Sequence, residues 1–172
     1  MLTVVPTENC TDKQPYEKKL KFTKVPIAFN DDDLEGTIQP HDDALVVTAR
    51  INGFIVKRVL IDQGSGVEVM YPDLFKGLGL KNEDVSKYDT LMEGFDGRMV
   101  ISEGQISLPV NMEGKEVMVM FIVVTLYSPY TTTFGRPRIY AIGVVLSTQH
   151  VKVKFRTEQG IVIVRGNKQV AR

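Results

Sequence analysis

The sequence predicts a mostly-β domain, either a barrel or a sandwich, with two short helices. Short apolar segments of strand length follow one another closely from residue 44 onward. Dipeptides that suit tight hairpin turns separate several of these segments, namely Asn52-Gly53, Asp96-Gly97 and Glu113-Gly114. Only two segments have the start and stop signals of a helix. Many short strands with few helices are typical of β-barrels and β-sandwiches.

The first half of the prediction consists of a hairpin and a strand–helix unit. The segments "ALVVTARI" and "FIVKRVLI" flank Asn52-Gly53 and are predicted to be paired strands. "VEVMYPDLFKGLGL" is predicted to give a short strand and then a helix, with Pro72 at its first position and Gly79 at its exit. The hairpin around Asp96-Gly97 has few large apolar neighbours, so we expect it to project into solvent.

The second half contains two further strand pairs and a helix. Apolar strands surround the turn at Glu113-Gly114. "SPYTTTFGRPRIYAIG" is predicted to be a loop followed by a short helix that ends near Gly143, and "HVKVKFRTEQGIVIVRG" to be a last hairpin. Residues 151–155 alternate between apolar and polar types, which predicts a half-buried strand.

Composition and charge limit the function classes. The 172 residues contain 21 Lys and Arg and 21 Asp and Glu. Zero net charge argues against nonspecific binding to nucleic acid or to an anionic membrane, and it permits self-association. No apolar run reaches membrane-spanning length; the longest is "VMVMFIVV". With one cysteine, Cys10, and no secretory-signal pattern at the N-terminus, we expect a cytoplasmic, intracellular protein.

Residues 1–40 differ in composition from the rest of the chain. They include a polar and basic stretch, the acidic run Asp31–Asp33 and several prolines. We therefore expect a linker or arm, partly disordered, followed by a domain over residues 41–172. The acidic run is predicted to be a solvated loop, because it lacks the ligand spacing and the glycine of a calcium loop.

The stretch "RVLIDQGSG" contains the clearest candidate for chemistry. An apolar strand ends on Asp62, and Gly64 and Gly66 allow the backbone to turn sharply and approach another surface. Such a loop can direct N–H groups at the carboxylate and hold it rigidly. From these residues alone, Asp62 is either a turn aspartate that caps its own loop or a carboxylate held for catalysis.

Several blocks extend the pattern around Asp62, namely "HDDALVVTARINGFIVKRVLIDQGSG", "ISEGQISLPV", "FGRPRIYAIGVVLSTQHVKVKF" and "RGNKQVAR". They resemble, in the same order, the protease region of plant gypsy-type LTR retrotransposon polyproteins. The resemblance covers roughly residues 25–172. It implies a retropepsin, the half-size aspartic protease: a retropepsin-like closed β-barrel with a flap hairpin and one or two short helices.

The resemblance also assigns roles to three segments. The catalytic aspartate of the family falls on Asp62, and its active-site loop falls on Gln63, Gly64 and Ser65. The flap that closes over the substrate falls on Gly94, Phe95, Asp96, Gly97 and Arg98. The segment that packs behind the active loop falls on Phe134, Gly135 and Arg136.

A retropepsin needs two carboxylates that share a proton. Among the eleven aspartates of the chain, only Asp62 opens an Asp-x-Gly pattern. The second carboxylate must therefore come from a second copy, so the resemblance implies a homodimer with its site on a two-fold axis. It implies an extended peptide or polyprotein as substrate and a retroelement particle in the cytoplasm as the setting. Activation of water by the carboxylates requires neither a metal nor another cofactor.

Two departures from the family pattern leave an alternative open. Gln63 replaces the usual Thr or Ser, and Thr133-Phe134 replaces two aliphatic residues before Gly135. Phe134 is expected to overpack its site at a cost of about 1–3 kcal/mol, and Thr133 to bury a hydroxyl that needs a partner.

The alternative is a decayed retropepsin-like domain that acts as a non-enzymatic interaction module. It is also favoured because these residues lack the reverse transcriptase that follows in such polyproteins. A third reading is a β-barrel binding module unrelated to proteases.

The remaining candidate residues are predicted to be structural. His41 and His150 lack partners at metal-ligand spacing, so each is expected to be a surface or strand residue. Asp42-Asp43 is predicted to be a turn or a solvated entry to the first strand. Cys10 has no histidine placed to activate it as a nucleophile.

Overall fold

The computed structural model describes residues 25–94 and 97–167 and has a mostly-β fold. In chain order its strands and α-helices are β1 Val46–Ile51, β2 Phe54–Ile61, β3 Glu68–Met70, α1 Pro72–Gly77, β4 Met92–Glu93, β5 Met99–Val100, β6 Ser102–Met112, β7 Lys115–Val124, β8 Thr132–Phe134, α2 Arg136–Ile142, β9 Val145–Ser147, β10 Lys152–Thr157 and β11 Gly160–Arg165. Six strands close into a barrel in the order β1-β2-β8-β3-β7-β6, which confirms the predicted fold class. Within the described ranges, no helix is long and apolar enough to cross a membrane.

Two predicted hairpins form much of the barrel wall. β1 and β2 meet at a turn in which Asn52 has φ 49° and Gly53 has φ 82°. β6 and β7 meet at a turn in which Glu113 has φ 46° and Gly114 has φ 87°. Positive φ at both central residues is the geometry that matches the right-handed twist of paired strands, so both turn predictions are confirmed.

β8 is a strand that the sequence did not predict, since its residues were assigned to a loop. It pairs in parallel with β2 and antiparallel with β3, which places Phe134 beside Ile61 and Thr133 beside Val69. The strand has three residues, two of which are polar, and the Thr132 hydroxyl donates a hydrogen bond to the Val69 carbonyl at 2.6 Å. Such a short polar strand has no apolar periodicity to reveal it.

The barrel interior forms one core with the helices and the C-terminal sheet. Phe121 and Phe134 are fully buried there, with ring centroids 6.1 Å apart. Helix α2 begins at Arg136 and ends at Ile142, and Gly143 with φ 72° caps it, near the predicted end. Strands β9, β10 and β11 form a separate three-stranded sheet, and Val153 and Phe155 of β10 pack into the same core.

The outer face of β10 is covered, so the prediction of a half-buried strand over 151–155 is wrong. Lys152 and Lys154 are buried although their positions face away from the core. The covering segment is residues 25–34. The Lys154 ammonium donates to the Ala28 carbonyl at 2.8 Å, and its nitrogen lies 4.6 Å from the ring centroid of Phe29.

Asp33 forms the centre of this contact, and the prediction of a solvated loop is wrong for this residue. Its carboxylate accepts hydrogen bonds from the Lys154 ammonium at 2.7 Å and from the Asn30 N–H at 3.0 Å. The Asp33 carbonyl accepts from Lys152, and the Val25 carbonyl accepts from Arg156. Residues 1–24 lie outside the described residues, and the division of the chain at residue 40 stays a prediction.

The Asp33–Lys154 pair predicts a specific loss of stability. The Lys154 ammonium and then the Asn30 N–H hold the pKa of Asp33 below its usual value, so the ionised carboxylate is the stabilised form. Its contribution is present at neutral pH and is lost as the pH falls through the acid range. We expect Asp33→Asn to lower the denaturant midpoint at pH 7, measured by circular dichroism.

The same substitution at the exposed neighbour provides the control. Asp32→Asn changes a side chain of the same run that faces solvent, and we expect it to leave the midpoint as in the parent. Equal midpoints for the two variants would show that the pair does not hold residues 25–34 on the sheet.

Candidate active site

Asp62 lies at the end of β2, where the strand leaves its pairing with β8. The Asp62 N–H donates to the Phe134 carbonyl at 2.9 Å, so the backbone of the aspartate is fixed by the neighbouring strand. Its carboxylate Oδ1 accepts a hydrogen bond from the Gly64 N–H at 2.8 Å. Asp62 therefore caps its own loop, while its half-buried side chain remains in contact with solvent.

Ser65 holds the rest of the loop. Its hydroxyl donates to the Val67 carbonyl at 2.7 Å, and its N–H donates to the Asp62 carbonyl at 3.3 Å. The Ser65 carbonyl in turn accepts from the Arg136 N–H at 3.0 Å. The loop is thus fixed both by itself and by the first residue of α2.

Gly135 lies directly behind this loop. A Cβ at residue 135 would approach the Val67 carbonyl oxygen to 2.5 Å and the Ser65 carbonyl oxygen to 2.7 Å. Real Cβ atoms do not come so close to backbone oxygens, so the junction between β8 and α2 has room only for glycine. The segment Phe134-Gly135-Arg136 is therefore packed against the loop, with Phe134 in the core and the Arg136 side chain exposed.

Glu68 and Arg138 form a buried polar pair beneath the loop, which sequence reasoning missed. The two carboxylate oxygens of Glu68 accept hydrogen bonds from the Gly135 N–H at 2.7 Å and the Arg138 N–H at 2.6 Å. Glu68 therefore satisfies N–H groups at the start of α2 from a different element. The Arg138 guanidinium donates to the Val110 carbonyl at 3.2 Å and lies 5.6 Å from the centroid of the Phe134 ring.

Burial determines the electrostatics of this pair. Burial raises the pKa of Glu68 to about 7, outweighing the two N–H donors and the positive charge of Arg138. Burial likewise lowers the pKa of Arg138 to about 10, against the favourable charge of Glu68. A charged residue inside a β-strand is only a weak sequence signal, because strands commonly expose one face to solvent.

The Asp62 loop borders a cleft of about 590 Å³. The hairpin of β4 and β5 also lines this cleft, through Met92, Glu93 and Gly94. The Gly94 N–H donates to the Arg98 carbonyl at 2.8 Å, and Gly97 has φ 76°. The structure therefore places Gly94, Gly97 and Arg98 in one hairpin, of which Gly94 lines the same cleft as Asp62, whereas Phe95 and Asp96 lie outside the described residues.

Other cleft residues were not assigned to the site from the sequence. They are apolar or aromatic. Val100 comes from β5, and the others come from the barrel and its loops, namely Val67, Val69, Tyr71, Val124 and Leu126. Nothing in their local sequence distinguishes them from core residues. By contrast, Gln63 is exposed and does not line the cleft within this single chain.

The departure at residues 133–134 is accommodated. The Thr133 hydroxyl lies 3.4 Å from the Tyr71 hydroxyl, so the buried group has a polar partner. Phe134 is fully buried and contacts Phe121 and Arg138.

The described residues hold no group of three or more His, Cys, Asp or Glu side chains that could bind a metal ion. His41 Nε2 lies 3.0 Å from the Gln149 carbonyl, and His150 Nδ1 lies 2.6 Å from the Ser147 hydroxyl. His150 is buried in a turn, so the prediction of a surface or strand residue is wrong for this histidine.

The closed barrel, the Asp62 loop, the opposing hairpin and the helix behind the loop define a retropepsin-like fold. The chain is similar to the retroviral protease-like domain of Ddi1 from Leishmania major, with a TM-score of 0.56 and 20% identity over 74% of this chain and 96% of that one. It is also similar to EIAV protease complexed with the inhibitor HBY-793, with a TM-score of 0.51 and 20% identity over 62% and 94% of the two chains. No family model and no curated protein matches the chain.

The close approach at Gly135 predicts a severe effect of one methyl group. Gly135→Ala forces the Ser65 and Val67 carbonyls away from α2, and we expect the free energy of unfolding to fall by about 3 kcal/mol or more. Denaturant unfolding measures this loss. The control is Gly77→Ala at the end of α1, where no atom lies within 4 Å of the added Cβ. An equal effect of both substitutions would contradict the packing described here.

The raised pKa of Glu68 predicts a pH dependence of stability. Between the unfolded value of 4.5 and the folded value of about 7, the folded state binds more protons than the unfolded chain. The free energy of unfolding contributed by Glu68 therefore falls as the pH rises through this window, by on the order of 1–2 kcal/mol after solvent screening. Glu68→Gln should remove this slope in urea titrations at several pH values. Identical slopes for parent and variant would contradict the shift.

Proposed function

We propose that this protein is an aspartic endopeptidase that is active as a homodimer, with one catalytic Asp62 from each chain. The observation that supports this most directly is the position of Asp62, which lines a cleft and whose carboxylate accepts a hydrogen bond from the Gly64 N–H. Residues of the β4–β5 hairpin line the same cleft. A fixed carboxylate beside a cleft is the arrangement that general acid–base chemistry on a bound peptide requires.

The proposed reaction is hydrolysis of a peptide bond by an activated water. One Asp62 carboxylate removes a proton from the water, which attacks the scissile carbonyl carbon. The other Asp62, protonated, donates a hydrogen bond to the carbonyl oxygen as negative charge develops there. Proton transfer to the leaving nitrogen then breaks the C–N bond and releases a carboxylic acid and an amine.

The proposed site requires a second copy of the chain, because the mechanism uses two carboxylates. Within residues 25–94 and 97–167, no cationic side chain forms an ion pair with Asp62, and one chain supplies a single Asp-x-Gly loop. Two such carboxylates on a two-fold axis cannot both ionise cheaply, so they share one proton. The pair therefore contains both the base and the acid that the reaction requires.

The proposed substrate is an extended segment of a retroelement polyprotein. A peptide in the cleft would lie between the Asp62 loop and the hairpin of β4 and β5, held by backbone hydrogen bonds. The apolar lining of the cleft, which includes Val69, Val124 and Leu126, favours hydrophobic residues beside the cut. The proposed setting is a retroelement particle in the cytoplasm.

The main test combines loss of the carboxylate with mixing of subunits. The parent protein is incubated with a mixed peptide library between acidic and neutral pH, and the products are sequenced by mass spectrometry. We expect cleavage by the parent and none by Asp62→Asn. When parent and variant are refolded together in equal amounts, a dimeric site predicts about one quarter of the parent activity, whereas a monomeric site predicts about one half.

Two controls complete this test. Asp42→Asn alters an exposed aspartate outside the cleft and should keep full activity. Sedimentation under assay conditions should show a dimer. Absence of cleavage by a preparation that is demonstrably dimeric would favour the non-enzymatic interaction module instead.

A further inference from the structure

A second depression lies next to the catalytic cleft, on the outside of the barrel. We call it the α2 groove; it has a volume of about 390 Å³ and lies between β7, the start of β3 and helix α2. Its lining includes Tyr88, Met118, Met120, Pro137 and Ala141. Met118 is 65% exposed and Met120 54% exposed, so the groove presents large apolar side chains to solvent. Exposed apolar side chains that line a groove are a common feature of ligand-binding grooves.

The α2 groove adjoins the cleft that contains Asp62. Gly66 and Val67 line both cavities, and they follow the catalytic loop directly in the chain. Residue 66 has no side chain to separate the two, and the nearest group to an added Cβ there is Arg136 Nη2 at 3.3 Å. The two cavities therefore adjoin at residues 66–67, close enough for one extended peptide to contact both.

The chemistry of the groove favours an apolar occupant. Both oxygens of Glu68, which lies at the groove, are engaged by the N–H groups of Gly135 and Arg138. Flexible methionines suit the accommodation of apolar side chains of different shapes. Tyr88 adds an aromatic surface on one side.

Resting on the function proposed above, we infer that the α2 groove binds an apolar residue of the same peptide that is cut at Asp62, several positions away from the scissile bond. The groove would thereby extend the recognised sequence beyond the residues in the cleft. Ala141 and Met120 are then specificity-determining positions, and neither lines the cleft that contains Asp62.

The test measures which residues the protein prefers at substrate positions far from the scissile bond. The probe is a library of peptides about twelve residues long, with Leu-Phe fixed at the centre and all other positions randomised. For the parent we expect apolar residues to exceed charged ones about tenfold at one distal position among cleaved peptides. Ala141→Arg places a long cation in the groove. It should abolish this apolar preference and replace it with a preference for Asp or Glu at the same position.

A matched control separates this effect from a general effect of added charge. Tyr140→Arg introduces the same side chain one residue earlier in α2, at a position that is 75% exposed and outside the groove. It should keep the apolar distal preference of the parent. If Ala141→Arg fails to fold, Met120→Lys tests the same surface from β7. Identical distal profiles for the parent and both groove variants would overturn the inference.

A binding measurement keeps this inference separate from the proposed function. If the parent cuts none of the peptides, the proposed function fails, but the groove is still tested. The same library is then passed over immobilised Asp62→Asn protein and the retained peptides are sequenced. The inference is supported if the retained peptides are enriched in an apolar residue at a distal position and if Asp62→Asn/Ala141→Arg loses this enrichment. The absence of such enrichment overturns the inference.

Discussion

The packing of Gly135 against the carbonyls of Ser65 and Val67 is the constraint on which the site depends. It joins the loop that bears Asp62 to the strand β8 and the helix α2 in one contact. Glu68 reinforces the same junction, because its carboxylate binds two N–H groups at the start of α2. The loop that bears Asp62 is therefore held by elements far away in the sequence, and its conformation depends on the barrel as well as on the loop itself.

Local signals were sufficient for much of the fold. The turns at Asn52-Gly53 and Glu113-Gly114 were predictable because tight hairpins require positive φ at two adjacent residues. Likewise, Pro72 and Gly143 mark the start of α1 and the end of α2. The strand β8 was missed because its stability comes from long-range pairing with β2 and β3, which leaves no local periodicity.

The candidate site was predictable only in part, for a similar reason. Asp62 has a motif of its own, and the resemblance indicated the hairpin opposite it. Tyr71, Val124 and Leu126 line the cleft only because the barrel closes, and Glu68 resembles any strand carboxylate until its burial is known. The unusual residues Thr133 and Phe134 are accommodated by their neighbours in the core. The Tyr71 hydroxyl lies beside that of Thr133, and Phe121 and Arg138 surround the larger ring of Phe134.

The segment over β10 has a consequence for how the domain can be isolated. Residues 25–34 supply a carboxylate and backbone carbonyls to a row of three cations, Lys152, Lys154 and Arg156. A fragment cut to begin at residue 41 would lose every one of these acceptors. Its sheet would then present an uncompensated positive stripe, and such a fragment would adhere to polyanions and to anionic chromatography resins in a way that the longer chain does not.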